Sequence, residues 1–141
     1  MSRCLTTLSA ALVFVAALAA ADTATAQRFD PKATEHVKVV ELITNDDEGK
    51  ERTTKLWVVL LAGEAYLRTN ASNWLANLKR NPAARLRVEG TEYPVMTEVI
   101  SDPMWVDRVD QASKEKYGWQ ETSIHLFRLW EPTIVRLHPA S

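Results

Sequence analysis

The chain has 141 residues, with 17 lysine and arginine residues against 18 aspartate and glutamate residues. This length is enough for one self-sufficient core and too short for two domains. The charges of both signs are scattered along the chain, which argues against a nucleic-acid-binding protein, because such proteins normally carry a basic excess on one face.

The first 26 residues have the three-part layout of a secretory signal. Arg3 supplies the positive end, an apolar run follows over residues 5–21, and Ala24-Thr25-Ala26 is a small-x-small cleavage site. We therefore expect residues 1–26 to be a signal peptide and the mature protein to begin at Gln27. Such a protein is secreted or periplasmic and has no membrane association after cleavage. A retained membrane anchor is the alternative, because the apolar run is close to the ~17-residue lower limit for a membrane span.

Cysteine and histidine usage narrows the chemistry of the mature chain. The only cysteine, Cys4, lies within the signal segment, so disulfides and thiolate catalysis are excluded after cleavage. The three histidines, His36, His125 and His138, are far apart and form no paired ligand spacing, so we expect no metal site. The sequence has no G-x-S-x-G, Walker or Rossmann pattern, and ordinary hydrolase or nucleoside-triphosphate chemistry is therefore unsupported.

Short runs of β-branched and aromatic residues predict strands in the first half of the mature chain. These runs occupy residues 37–43, 52–61 and 65–68. Gly63 closes a tight turn between the second and third runs, so we expect these two strands to pair locally and antiparallel. A second hairpin is predicted for residues 84–88 and 91–100, with Glu89-Gly90 as its turn.

Capping residues mark the ends of two helices. Ser72 is a good N-cap for a short helix that ends before Pro82. Asp102 and Pro103 begin the longest helix, with Asp110 on the side that we expect to face water, and the helix ends at Gly118. Residues 124–130 are apolar and of undetermined state, and residues 133–137 form a last strand.

The order of these elements is β-β-β-α-β-β-α-β. It predicts a fold that is mainly β with some α (α+β), an antiparallel barrel with two or three short helices at its rim. We assign this barrel to residues 37–139 and expect residues 27–36 to form a flexible entry.

The corner between the third strand and the first helix is the candidate ligand site. Arg68, Thr69 and Ser72 lie next to the helix N-terminus, whose free amides and partial positive charge suit a phosphate or carboxylate. The alternative is that Ser72 only caps the helix and that Arg68 pairs with a surface acid. Five tryptophans are many for a domain of this size, and one or two of them could form the wall of a site for a flat aromatic ligand.

The central part of the chain resembles the FMN-binding split β-barrels, a superfamily that includes pyridoxamine-phosphate-oxidase-like proteins and deazaflavin-dependent nitroreductases. The resemblance extends over about residues 37–139 and rests on an ordered series of short motifs: Tyr66-Leu67-Arg68-Thr69-Asn70-Ala71-Ser72, Trp74, Asn77-Leu78, Asn81-Pro82 and Leu86-Arg87-Val88. The continuation through Tyr117-Gly118 to Glu131-Pro132-Thr133 looks like a small branch of unknown function within these proteins.

This resemblance implies a six-stranded split barrel, often a homodimer, with an isoalloxazine-type ring near the subunit interface. It places the phosphate tail at the strand–helix corner and the ring along the second strand. The residues expected to contact the cofactor are Arg52, Lys55, Trp57, Arg68, Thr69, Ser72 and Trp74.

Two hypotheses about function stay open. In the first, the protein is an exported oxidoreductase that uses FMN or a deazaflavin. In the second, it binds no cofactor and is a binding module for an anionic or aromatic small molecule, or for a partner protein. The second hypothesis arises because family members that hold FMN commonly have a lysine directly after the serine, where this chain has Asn73.

Overall fold

The computed structural model describes residues 26–69, 72–118 and 133–141. Residues 1–25 of the signal segment and the apolar stretch at 124–130 lie outside these ranges. Asn70, Ala71, Trp119, His125 and Trp130 lie outside them as well.

The described residues form six strands and two α-helices in the order that the sequence predicted. The elements are β1 (Val39–Asn45), β2 (Glu51–Leu61), β3 (Glu64–Thr69), α1 (Asn73–Arg80), β4 (Ala83–Val88), β5 (Thr91–Ile100), α2 (Pro103–Tyr117) and β6 (Thr133–Pro139). A single 3₁₀ turn (Pro31–Thr34) precedes β1.

The six strands form a closed antiparallel barrel in the order β1-β2-β3-β6-β5-β4. This arrangement confirms the predicted barrel, and β6 closes it by pairing with both β3 and β5. Two hairpin turns are tight: Ala62 and Gly63 in one, and Glu89 and Gly90 in the other, all have positive φ. Two central residues with positive φ match the right-handed twist of the flanking strands, so these turns fix the registers of β2–β3 and β4–β5.

One apolar cluster fills the barrel and a second lies outside it. The interior cluster draws side chains from all six strands and from α1 and includes Phe29, which precedes the 3₁₀ turn. The outer cluster joins Tyr66, Ile100 and Ile134 to Val109, so it attaches α2 to the outside of the barrel. Both helices are thus held by apolar contacts, as expected for amphipathic helices.

Candidate functional site

Strand β2 changes neighbours along its length. Residues from Glu51 to Trp57 pair with β1, whereas residues from Val58 to Leu61 pair with β3. Along Glu51–Trp57, no strand in the described part of the chain covers the edge that faces away from β1. The barrel is therefore split between this half of β2 and the strand–helix corner.

A cleft of about 430 Å³ lies between this half of β2 and α1. Its volume falls within the ~300–1,000 Å³ range of small-molecule sites. The cleft is lined by Glu51, Arg52, Thr53, Thr54, Asn73 and Trp74. Two of the residues predicted to contact a cofactor, Arg52 and Trp74, are brought together here.

Arg52 is the cation of the cleft. Its Nε lies 3.4 Å from Oδ2 of Asp46, and its side chain is 56% exposed. The other oxygen of Asp46 accepts bonds from the amides of Lys50, at 2.9 Å, and Glu48, at 3.0 Å. The Lys50 bond is the main reason why the pKa of Asp46 is lowered, so this carboxylate stays ionised and orients Arg52.

Beyond the contact of Nε with Asp46, the described residues do not engage the terminal amino groups of Arg52. These groups have no partner within residues 26–69, 72–118 and 133–141. A guanidinium fixed through Nε keeps two parallel donors for an anionic group of a ligand.

Helix α1 is positioned by polar contacts at both ends of its buried face. Ser72 Oγ accepts a bond from the Leu75 amide at 3.4 Å and lies 3.1 Å from Thr69 Oγ1, which confirms Ser72 as the N-cap. Farther along, Asn77 Nδ2 donates to Thr44 Oγ1 of β1 at 3.1 Å, and both side chains are buried. The sequence analysis missed this positioning role of Asn77, although a polar residue one turn after Trp74 on the apolar face is a detectable signal.

Arg68 is directed toward α2 and does not line the cleft. It donates to Asp110 Oδ1 at 2.5 Å and to Ser113 Oγ at 3.0 Å. The expectation that Asp110 faces water is wrong, because its side chain is 7% exposed. The physical reason is that α2 packs on the outside of the barrel, where the carboxylate accepts bonds from both Arg68 and Lys114.

The remaining predicted residues of β2 lie apart from the cleft. The Trp57 ring stacks on Tyr117 with 4.6 Å between centroids and 17° between planes. Lys55 is exposed and lies opposite Glu41 of β1. The sequence did not predict this ring pair, because it joins two residues 60 positions apart.

Two further findings bear on the kind of site. Within the described ranges, no group of three or more histidine, cysteine, aspartate or glutamate side chains is arranged to hold a metal ion. The same residues contain no helix of the length and apolarity that crossing a membrane requires.

Solved structures share this barrel. The conserved hypothetical protein Rv2991 from Mycobacterium tuberculosis superposes with a TM-score of 0.61 at 20% identity, over 79% of this chain and 78% of the other. HutZ, the heme storage protein of Vibrio cholerae, gives a TM-score of 0.61 at 16% identity, over 78% and 87%. An F420-H2-dependent reductase, FDR-A, gives a TM-score of 0.53 at 19% identity, over 70% and 94%.

These matches define the fold of the protein. It is the split β-barrel, which also occurs in a putative pyridoxamine 5′-phosphate oxidase and in an F420-H2-dependent reductase, so the predicted split-barrel fold is confirmed. The chain belongs to the DUF2255 family, whose description is "uncharacterized protein conserved in bacteria" and whose model matches residues 30–134. No curated protein is significantly similar to the chain.

Proposed function

We propose that the protein is an exported split-barrel oxidoreductase that binds FMN or a deazaflavin in the cleft between β2 and α1. The observation that carries this proposal is the meeting of Arg52 and Trp74 in a cleft of about 430 Å³. An aromatic side chain beside a guanidinium that pairs with Asp46 suits a ligand that has a flat ring and an anionic tail.

The residues of the cleft fit such a cofactor. Arg52 would hold the phosphate through its two terminal amino groups, and Thr53 and Thr54 would supply hydroxyls. Trp74 is 6% exposed, so only the small part of its side chain that lines the cleft would contact the ring. The cofactor, once bound, supplies hydride-accepting chemistry, while the chain's own residues hold and orient it and exclude water from its ring.

The solved structures with this fold support a small-molecule site of this kind. FDR-A is described as an F420-H2-dependent reductase, and HutZ as a heme storage protein. A large planar conjugated ligand is common to both descriptions. We propose that this chain binds a ligand of the same shape and that it acts as a homodimer.

A specific observation favours a second candidate, a binding module without redox activity. Arg68, at the corner where the resemblance places the phosphate, is paired with Asp110 of the same chain. Asn73 also stands where FMN-binding relatives commonly have a lysine. In this candidate, the cleft holds an anionic aromatic molecule that undergoes no reaction.

The Arg52→Gln variant tests the site. Loss of a charge-assisted hydrogen bond of about 1.5–3 kcal/mol is expected to weaken FMN binding by roughly ten- to a hundredfold. Fluorescence titration of the purified mature protein with FMN, and separately with F420, measures this change. A wild-type protein that binds neither cofactor would leave the binding-module candidate in place.

Lys55→Gln is the matched control for Arg52→Gln. It removes one positive charge from the same strand but outside the cleft, so we expect FMN affinity to stay within about twofold. Equal losses in the two variants would contradict the assignment of the cleft. Arg68→Ala is a poorer probe, because it also breaks the ion pair with Asp110.

Export is a separate part of the proposal. Expression of the full chain in an exporting host, followed by mass spectrometry of the purified product, is expected to give an N-terminus at Gln27. An intact Met1 in the membrane fraction would show a retained anchor instead.

A further inference from the structure

Two adjacent side chains at the end of α2 contact the chain where β2 changes neighbours. Lys116 Nζ donates to the carbonyl oxygens of Val37 at 2.6 Å, Val58 at 2.9 Å and Thr34 at 3.3 Å. The hydroxyl of Tyr117 lies 2.6 Å from the carbonyl of Val58 and 2.7 Å from that of Lys38.

These carbonyls lie where one strand ladder ends and the next begins. The register of β1 with β2 ends at Val39 opposite Trp57, and one further bond runs from the Val58 amide to the Lys38 carbonyl at 3.3 Å. The pairing of β2 with β3 begins at Val58. The carbonyl of Val58 accepts hydrogen bonds from Lys116 and Tyr117 of α2. These bonds supply the partner that a buried backbone carbonyl needs.

Tyr117 also contacts the ring of Trp57, the residue before Val58. Trp57 stacks on Tyr117, and Lys116 Nζ lies 5.5 Å from the centroid of the Tyr117 ring. Trp57 is the last residue of the half of β2 that pairs with β1, and the first four residues of this half line the cleft. The end of α2 is therefore connected to that half of β2 through one stacked pair of rings.

The ammonium of Lys116 has no acid among these partners. Each of its three acceptors is a neutral backbone carbonyl, and burial lowers the pKa of Lys116. An ammonium that loses hydration without gaining an opposite charge contributes little net stability. Its contacts instead constrain geometry, since three acceptors on two separate segments converge on one atom.

We propose that Lys116 is a positioning residue: through Tyr117 and the Val58 carbonyl, it fixes Trp57 and thereby the half of β2 that lines the cleft. In this assignment Trp57 anchors that half of β2 and does not contact the ligand. The effect on ligand binding rests on the proposed function, whereas the effect on Trp57 does not.

The experiment removes the ammonium and then returns it from solution. Near-ultraviolet circular dichroism of the mature protein is recorded, and the contribution of the Trp57–Tyr117 pair is taken as the difference between the wild type and Trp57→Phe. Lys116→Ala is expected to lose this contribution and to weaken FMN binding on the order of tenfold. Propylammonium at millimolar concentration is expected to restore both, and 1-propanol neither.

Controls separate positioning from loss of structure. The matched charge control is Lys114→Ala, which removes an exposed ammonium from the same helix, two residues earlier. It is expected to leave the near-ultraviolet contribution of the Trp57–Tyr117 pair, the ring signal, unchanged. Lys116→Met keeps the length of the side chain and replaces Lys116→Ala if far-ultraviolet circular dichroism shows that the latter is unfolded. A retained ring signal in the folded variant, or equal restoration by 1-propanol, would overturn the proposal. A wild type that shows the ring signal but ignores FMN and F420 would count against the proposed function alone.

Discussion

Phe29→Ala is expected to lower the free energy of unfolding by about 3–5 kcal/mol, the range for removing a large aromatic side chain from a core. Phe29 is 1% exposed and belongs to the interior cluster of the barrel. Its ring meets Tyr93 edge to face, with 5.8 Å between centroids and 62° between planes. Urea denaturation of the mature protein, analysed by linear extrapolation, measures the loss.

The neighbouring residue provides the control for this prediction. Arg28 is exposed, and Arg28→Ala is expected to change the free energy of unfolding by less than about 0.5 kcal/mol. Similar small changes in both variants would mean that residues 27–36 behave in solution as the flexible entry that the sequence predicted. A large loss in Phe29→Ala alone would make these residues part of the folded domain.

The position of Phe29 also bears on the proposed export. Cleavage before Gln27 leaves Phe29 as the third residue of the mature chain, so the interior cluster stays complete. A cleavage site a few residues later would remove this ring and carry the same penalty as Phe29→Ala. The folded barrel therefore sets a limit on where processing can occur without loss of stability.

The strands, helices and barrel order could be predicted because their signals are local. β-Branched runs, the turns at Gly63 and Gly90, and the caps at Ser72 and Asp102 each depend on a few neighbouring residues. The family resemblance placed Arg52 and Trp74 among the residues expected to contact a cofactor, and this assignment stays a prediction.

The partners of individual polar side chains could not be predicted in the same way. Arg68 and Asp110 are 42 positions apart, and their contact depends on which outer face of the barrel α2 covers. Helical periodicity places Asp110 on the polar side of α2, but it does not show that Arg68 of β3 contacts that side through Asp110 and Ser113. The same limitation applies to Lys116, whose three acceptors are backbone carbonyls and leave no pattern in the sequence.

Asp110→Ala is expected to lower the free energy of unfolding by about 3 kcal/mol. Removing one partner of a buried ion pair typically costs about 3–5 kcal/mol, because the other charge stays buried without its counter-ion. The lower end applies here, since Arg68 is 19% exposed and can be reached by water. Urea denaturation at neutral pH, with a check that the m-value is unchanged, measures the effect.

Lys114→Ala tests whether the loss comes from the buried contact with Arg68. Lys114 meets the same carboxylate at 3.0 Å but is 49% exposed, and exposed pairs of this kind contribute about 0.3–0.5 kcal/mol.

The double variant Arg68→Met/Asp110→Leu removes both charges and is expected to be closer in stability to the wild type than Asp110→Ala, because the charges of the buried pair are both removed. If Asp110→Ala cost no more than Lys114→Ala, the buried pair would not hold α2 on the barrel, and Arg68 would be available to a ligand in solution. In that case Arg68, at the strand–helix corner, would be the residue that contacts the phosphate, and Arg68→Ala would weaken FMN binding without a loss of stability.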